Sequence, residues 1–99
     1  MKKIMLVCSA GMSTSLLVQK MEKAAVEKNI QVEIFACSEA EAKDKYKQVN
    51  VILLGPQVRF LLSKIQGAVE GTGIPVAVID SIEYGTMNGA AVLEKALKM

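Results

Sequence analysis

A chain of 99 residues, 52% hydrophobic and 22% charged, has the size and balance of one ordinary globular domain, spanning 1–99. A net charge of +2, with Arg59 the one arginine and 4% aromatic content, excludes the basic, aromatic-interleaved face of a nucleic-acid binder. The absence of histidine excludes a Cys–His nucleophile pair, an imidazole metal triad and a phosphohistidine of the chain's own.

The first apolar run, Ile4 to Val7, reads as a short buried strand. It is too short for the h-region of a secretory signal, about 7–15 residues. Bulky Val7 stands before Cys8 where a lipoprotein site needs a small residue, and no run approaches the ~20 apolar residues that span a bilayer. A cytoplasmic protein with no membrane insertion of its own is the expectation. Cys8 and Cys37 form no C-x-x-C and no second pair, which argues against structural zinc and a thioredoxin motif.

From about Ser13 to Lys28 the pattern predicts a helix with Leu17, Met21 and Ala24 inward. Gln31 to Ala36 alternates polar and apolar residues, as a half-exposed edge strand does. Ser38 and Glu41 match a capping box opening a helix to about Lys47. Val49 to Leu54 is almost wholly apolar and so a central strand, ended by Gly55-Pro56. Val58, Leu61, Leu62, Ile65 and Val69 then mark an amphipathic helix. "EGTGIP" is a turn, Val76 to Ile79 a fourth strand and Asp80 to Gly85 a loop. A last helix runs from about Met87 to Leu97 with Ala90, Leu93 and Leu97 inward.

This βαβα alternation predicts an α/β fold: a four-stranded parallel sheet with helices on both faces, since right-handed crossovers permit little else. An edge second strand and a central third strand give order 2-1-3-4, a truncated flavodoxin-like sheet. Ligands of such sheets bind outside the carboxyl ends of the strands at the switch point, here between strands one and three. The loop that starts at Cys8 and the loop Gly55-Pro56-Gln57 both open there.

No charge occurs between Lys3 and Lys20, yet the loop is built to receive an anion. A strand, a tight turn at Gly11 and a helix start aim several backbone N–H groups at one spot, and the helix end adds about half a positive charge. Ser9, Ser13, Thr14 and Ser15 add hydroxyls, some of them available to cap the helix. The same field favours a thiolate over a thiol at Cys8, which makes it a nucleophile beside an oxyanion site. The amides suit the equatorial oxygens of an in-line phosphoryl transfer. Neither G-K-[ST] nor G-x-G-x-x-G is present, so nucleotide binding has no support. A lone cytosolic cysteine is ordinarily a buried strand-end residue; the hydroxyl-rich, uncharged loop at a switch point favours a functional one.

The run Cys8-Ser9-Ala10-Gly11-Met12-Ser13-Thr14-Ser15 resembles the phosphorylation loop of the IIB components of the bacterial sugar phosphotransferase system (PTS), lactose/cellobiose/chitobiose family. "LLGPQV" (Leu53 to Val58) and "VIDSIEYG" (Val78 to Gly85) extend the likeness along the whole chain. The resemblance implies a cytoplasmic phosphotransferase peripherally associated with a membrane transporter, with no cofactor and no metal. It implies that Cys8 accepts phosphate from a phosphohistidine of a IIA partner, bound by the backbone and hydroxyls of residues 9–15. The phosphate then passes to a sugar translocated by a membrane IIC partner. It also marks Gln57 and Tyr84, on loops at the same end, as contacts to the phosphate or to a partner, against capping and loop packing as their plain alternatives. The sugar, a β-glucoside-type disaccharide, is recognised by the membrane partner, so cellobiose, chitobiose and lactose stay open.

Two other readings are weaker. A low-molecular-weight cysteine phosphatase needs C-x5-R, and Thr14 stands where the arginine would be; its Asp-Pro acid is here Asp80-Ser81. A non-catalytic anion-binding or redox-sensing module would use Cys8 and Cys37, whose strands lie ~4.8 Å apart if adjacent; Cys37 reads more simply as a small strand-end residue.

Overall fold

The computed structural model describes residues 1–9 and 12–99, and of Met12 and Ser13 the backbone alone. Strand β1 (Lys2–Cys8) lies between β2 (Val32–Ser38) and β3 (Val51–Leu54), and β4 (Val76–Val78) pairs with β3. All pairings are parallel and the order is β2-β1-β3-β4, as the hydrophobic pattern predicts. β1 and β3 are central because their interiors are apolar on both faces: Ile4 to Cys8 and Val51 to Leu54 are all buried.

The pleat sorts these side chains into two cores. Ile4, Leu6, Ile34, Val51 and Leu53 pack with α1 (Met12–Glu27) and α5 (Gly89–Leu97). Met5, Val7, Cys37, Ile52 and Leu54 face α2 (Glu39–Ala42) and α3 (Leu62–Ala68) on the other side. α1 buries Leu17, Met21 and Ala24 as its spacing predicts. Its chain then turns at Asn29, in the left-handed region at φ 59°, where Asn is better tolerated than most residues.

Four local expectations are corrected. The capping box at Ser38 is present, but α2 stops after Ala42, and Tyr46 reaches the core from a separate 3-10 turn, Tyr46–Gln48. The stripe from Val58 to Val69 is buried as expected, yet its first part, Pro56–Leu61, is a 3-10 helix. Pro56 offers no N–H, and the Val58 N–H bonds the Gly55 carbonyl three residues back at 3.0 Å. Asp80 to Gly85 is not a loop: Asp80 caps α4 (Ser81–Gly85), accepting from the Ile82 and Glu83 amides at 2.7 and 3.3 Å. A single turn is too short to show a period. Finally α5 starts at Gly89 behind an Asn88 cap, and Ala90 is exposed while Val92, Leu93 and Ala96 are buried.

Gly89 shows why a small residue begins α5. A Cβ there would lie 2.5 Å from the Lys20 carbonyl carbon and 2.6 Å from the Met21 nitrogen, both backbone atoms of α1. Gly89→Ala therefore has to push two packed helices apart. It is expected to cost about 1–3 kcal/mol, the usual scale of overpacking, and to lower Tm by several degrees in a thermal melt; an unchanged or raised Tm would show that the helices separate freely.

Candidate functional site

The carboxyl ends of β1, β3 and β4 converge on one edge of the molecule, and each delivers a residue singled out by sequence. β1 delivers Cys8, which is completely buried. Its thiol donates to the Cys37 carbonyl of the neighbouring strand at 3.7 Å. β3 leads through Gly55, whose amide continues the ladder to the Val7 carbonyl at 3.0 Å, into the 3-10 helix that carries Gln57. β4 leads through Ile79, bonded to the Leu54 carbonyl at 2.8 Å, into α4 and Tyr84.

Gln57 and Tyr84 are joined. The Gln57 amide Nε2 donates to Tyr84 Oη at 3.1 Å, and Tyr84 Oη lies 3.1 Å from Thr14 Oγ1 in the first turn of α1. Because the phenol oxygen accepts from Gln57, its own proton is free to go to Thr14. Thr14 is fully buried. The position at which a phosphatase holds its arginine is thus filled by a threonine hydroxyl committed to Tyr84, and the late acid position holds Asp80, whose carboxylate caps α4.

Ser9 and Ser15 are exposed, and Gln57 is exposed at the rim. Ala10 and Gly11, and the side chains of Met12 and Ser13, lie outside the described residues. The expected nest at the turn therefore falls largely on residues the structure does not describe, while its helical continuation, α1, is present from Met12. Among the described residues no group of three His, Cys, Asp or Glu side chains could hold a metal, and no helix is long and apolar enough to cross a membrane.

Cys37 does not join Cys8 in a bond; both are free. Register sets Cys37 beside Val7, in the layer facing α2 and α3, whereas Cys8 follows Val7 on β1 and its partner is Ser38. Burial pushes the Cys37 thiol up, outweighing the nearby Lys45 ammonium. The adjoining Ser38–Glu41 cap, with Ser38 amide and hydroxyl donating to Glu41 Oε1 at 3.1 and 3.0 Å, holds the Glu41 carboxyl low.

Of the large apolar side chains exposed among the described residues, three that the sequence did not flag lie on the elements carrying Thr14, Gln57 and Tyr84: Leu16 at 45%, Phe60 at 76% and Ile82 at 76% of full exposure. Each sits two or three residues from Thr14, Gln57 or Tyr84, on the same three elements. Phe60 falls off the buried stripe of Val58, Leu61 and Ile65, and this was its readable signal.

Residues 3–95 match the model of the family described as "PTS system, Lactose/Cellobiose specific IIB subunit". The chain belongs to that family. It is 42% identical over 99 residues to the oligo-beta-mannoside-specific EIIB component of Bacillus subtilis, covering 100% of this chain and 96% of the relative. To the galactose-specific EIIB component of Lactococcus lactis subsp. cremoris it is 45% identical over 100 residues, covering 96% and 93%. The solution structure of the cellobiose-specific phosphotransferase IIB component from Borrelia burgdorferi superposes with a TM-score of 0.80 at 44% identity, over 98% of this chain and 89% of that one. The lactose-specific IIB domain from Streptococcus pneumoniae superposes at 0.88 over 98% and 95%, and at 19% identity it speaks for the fold alone. The protein is accordingly an EIIB-type phosphotransferase, a phosphoryl-transfer component that works between IIA and IIC components.

The raised Cys37 thiol generates a prediction. At neutral pH less of it is thiolate than of an ordinary cysteine, and only the thiolate is alkylated. In a Cys8→Ser background Cys37 should react more slowly than free cysteine at pH 7 and accelerate only above the ordinary thiol range. Alkylation as fast as free cysteine would show that β2 does not hold Cys37 in the core.

Proposed function

We propose that residues 1–99 form one EIIB-type domain in which Cys8 carries the phosphoryl group, taking it from a phosphohistidine of IIA and giving it to a β-glucoside-type disaccharide brought by IIC. The observation that carries this reading is the placement of Cys8: a buried thiol at the end of a central strand, at the switch point, directly before the N-terminus of a 16-residue helix.

The chemistry follows from that placement. Cys8 sulfur attacks phosphorus in line; the S–P bond forms as the N–P bond to imidazole breaks, and the thiol proton ends on the imidazole. The transferring group carries its charge on three equatorial oxygens, which backbone N–H groups of residues 9–15, the hydroxyls among them and the dipole of α1 are suited to hold. In the second transfer a sugar hydroxyl oxygen attacks, the S–P bond breaks, and the hydroxyl proton returns to sulfur. A site without a guanidinium fits a relay, because a phosphoryl group clamped by bidentate charge-assisted bonds would be slow to leave.

The exposed apolar residues Leu16, Phe60 and Ile82, close in sequence to Thr14, Gln57 and Tyr84, suit the docking of protein partners, which must bring a donor and then an acceptor to the same atom. The reading places the protein in the cytoplasm, peripherally bound to its membrane partner. For the sugar, relatives of nearly equal identity are named for oligo-beta-mannoside, galactose and cellobiose.

Incubation with phosphorylated IIA should place one phosphate on the peptide containing Cys8, detected by mass spectrometry, and Cys8→Ser should abolish it. Phosphate on a loop serine would contradict the assignment. Titration with IIA should shift NMR resonances in residues 9–15, 55–60 and 80–86, and IIC-containing membranes should compete for them; shifts centred on Lys45 or on α5 would place the docking face elsewhere.

A further inference from the structure

We propose that Tyr84 is a positioning residue of the phosphoryl-acceptor site: its hydroxyl, held between Gln57 and Thr14, fixes the first turn of α1 to the 3-10 helix that follows β3 and to α4 after β4. The proposal rests on the relay reading of Cys8 and adds a device that sets the geometry of the acceptor.

Three features single out this hydroxyl. It connects three separate chain segments that have no backbone pairing with one another at this point: Thr14 lies 70 residues from Tyr84, and Gln57 27 residues from it. Thr14 is completely buried, so a Thr14 hydroxyl deprived of Tyr84 would have no access to water. Each end of the chain is itself braced. Gln57 folds back over Gly55, where an added Cβ would come within 2.6 Å of the Gln57 Oε1, so the amide packs closely against the backbone at Gly55. α4 is fixed by the Asp80 cap at one end and by the Glu83–Lys95 ion pair to α5 at 2.8 Å, so the Tyr84 ring, packed against the core of Leu17 and Leu93, has little freedom.

The consequence concerns α1. Thr14 is the third residue of that helix, within the turn whose N–H groups lack intrahelical partners. Holding Thr14 sets where those N–H groups point relative to Cys8 sulfur. A displacement of the helix start by a fraction of an ångström matters little for folding but matters for oxyanion donors, whose effect depends on short distance and alignment. Tyr84 thus acts on the transferred group through Thr14 and α1, without needing to touch it.

The test compares wild type, Tyr84→Phe, Thr14→Val and the double variant, each first shown to fold by circular dichroism and thermal melting. Transfer is followed from phosphorylated IIA to Cys8, with kcat and KM for IIA measured separately. Tyr84→Phe keeps the ring and removes the hydroxyl; the expected result is a fall in kcat of about tenfold with KM for IIA unchanged. Combining it with Thr14→Val should give no further loss, because both changes remove the same bond. Three outcomes would overturn the proposal: an unchanged kcat in Tyr84→Phe, a loss confined to KM, which would make Tyr84 a docking contact, or fully additive losses in the double variant. Phosphate carried on a residue other than Cys8 in wild type would overturn the relay reading itself and this role with it; a normal Cys8 phosphate with an unaffected Tyr84→Phe would overturn this role alone.

Discussion

Strand β1 is hydrogen-bonded along both edges, to β2 from Lys2 to Cys8 and to β3 from Ile4 to Val7, and its side chains from Ile4 to Cys8 are buried on both faces. Everything at the site depends on that constraint. A strand held on four sides cannot shift its register without moving every core side chain to the wrong face, so the point where it ends is fixed. Its last residue is Cys8. Because the chain crosses to opposite sides after β1 and β3, a gap opens beyond these two strands, and the loops after them border it together. Cys8 is thus placed by the strand that is paired along both edges, while the groups around it come from loops and helix ends.

The site is also defined by what it lacks. No charged residue lies between Lys3 and Lys20, and the chain contains no histidine. The stretch from Cys8 to Ser15, with neither guanidinium nor imidazole, offers an anion N–H groups and hydroxyls, which hold a dianion more weakly than a bidentate arginine. Weaker holding suits an EIIB-type component, which passes a phosphoryl group on, better than an enzyme that hydrolyses it. Thr14, which stands where a C-x5-R sequence has its arginine, is buried with its hydroxyl against Tyr84.

Strand order, and the place of Cys8 at the end of β1, were legible because each rests on a strong local pattern. Val49 to Leu54 reads as central because it is nearly all apolar, and Gln31 to Ala36 reads as an edge because alternate residues are polar. Of the short helices, α2 was legible at its Ser38 cap but not at its end, and α4 was not legible. α4 has five residues, less than is needed to show a 3.6-residue period, and only the Asp80 cap announces it. Ala90 was misplaced because alanine is equally at home inside and outside; the partner that decides is Lys20 of α1, against which Gly89 is pressed. The Gln57–Tyr84–Thr14 chain was beyond reach for a different reason. Each residue was visible at the active end, but their union depends on how α4 and the Pro56–Leu61 turn are angled, and that is set by tertiary packing.

The central claim, that the carrier atom is the sulfur at the end of β1, is tested most directly by phosphorus NMR of the protein charged by its PTS partners. With cysteine selectively labelled, the account predicts one phosphothiol resonance correlated to the β-protons of Cys8, which disappears as sugar and IIC-containing membranes are added and sugar phosphate appears. A resonance of an oxygen-bound or nitrogen-bound phosphate, or a phosphothiol signal that correlates with Cys37, would contradict it.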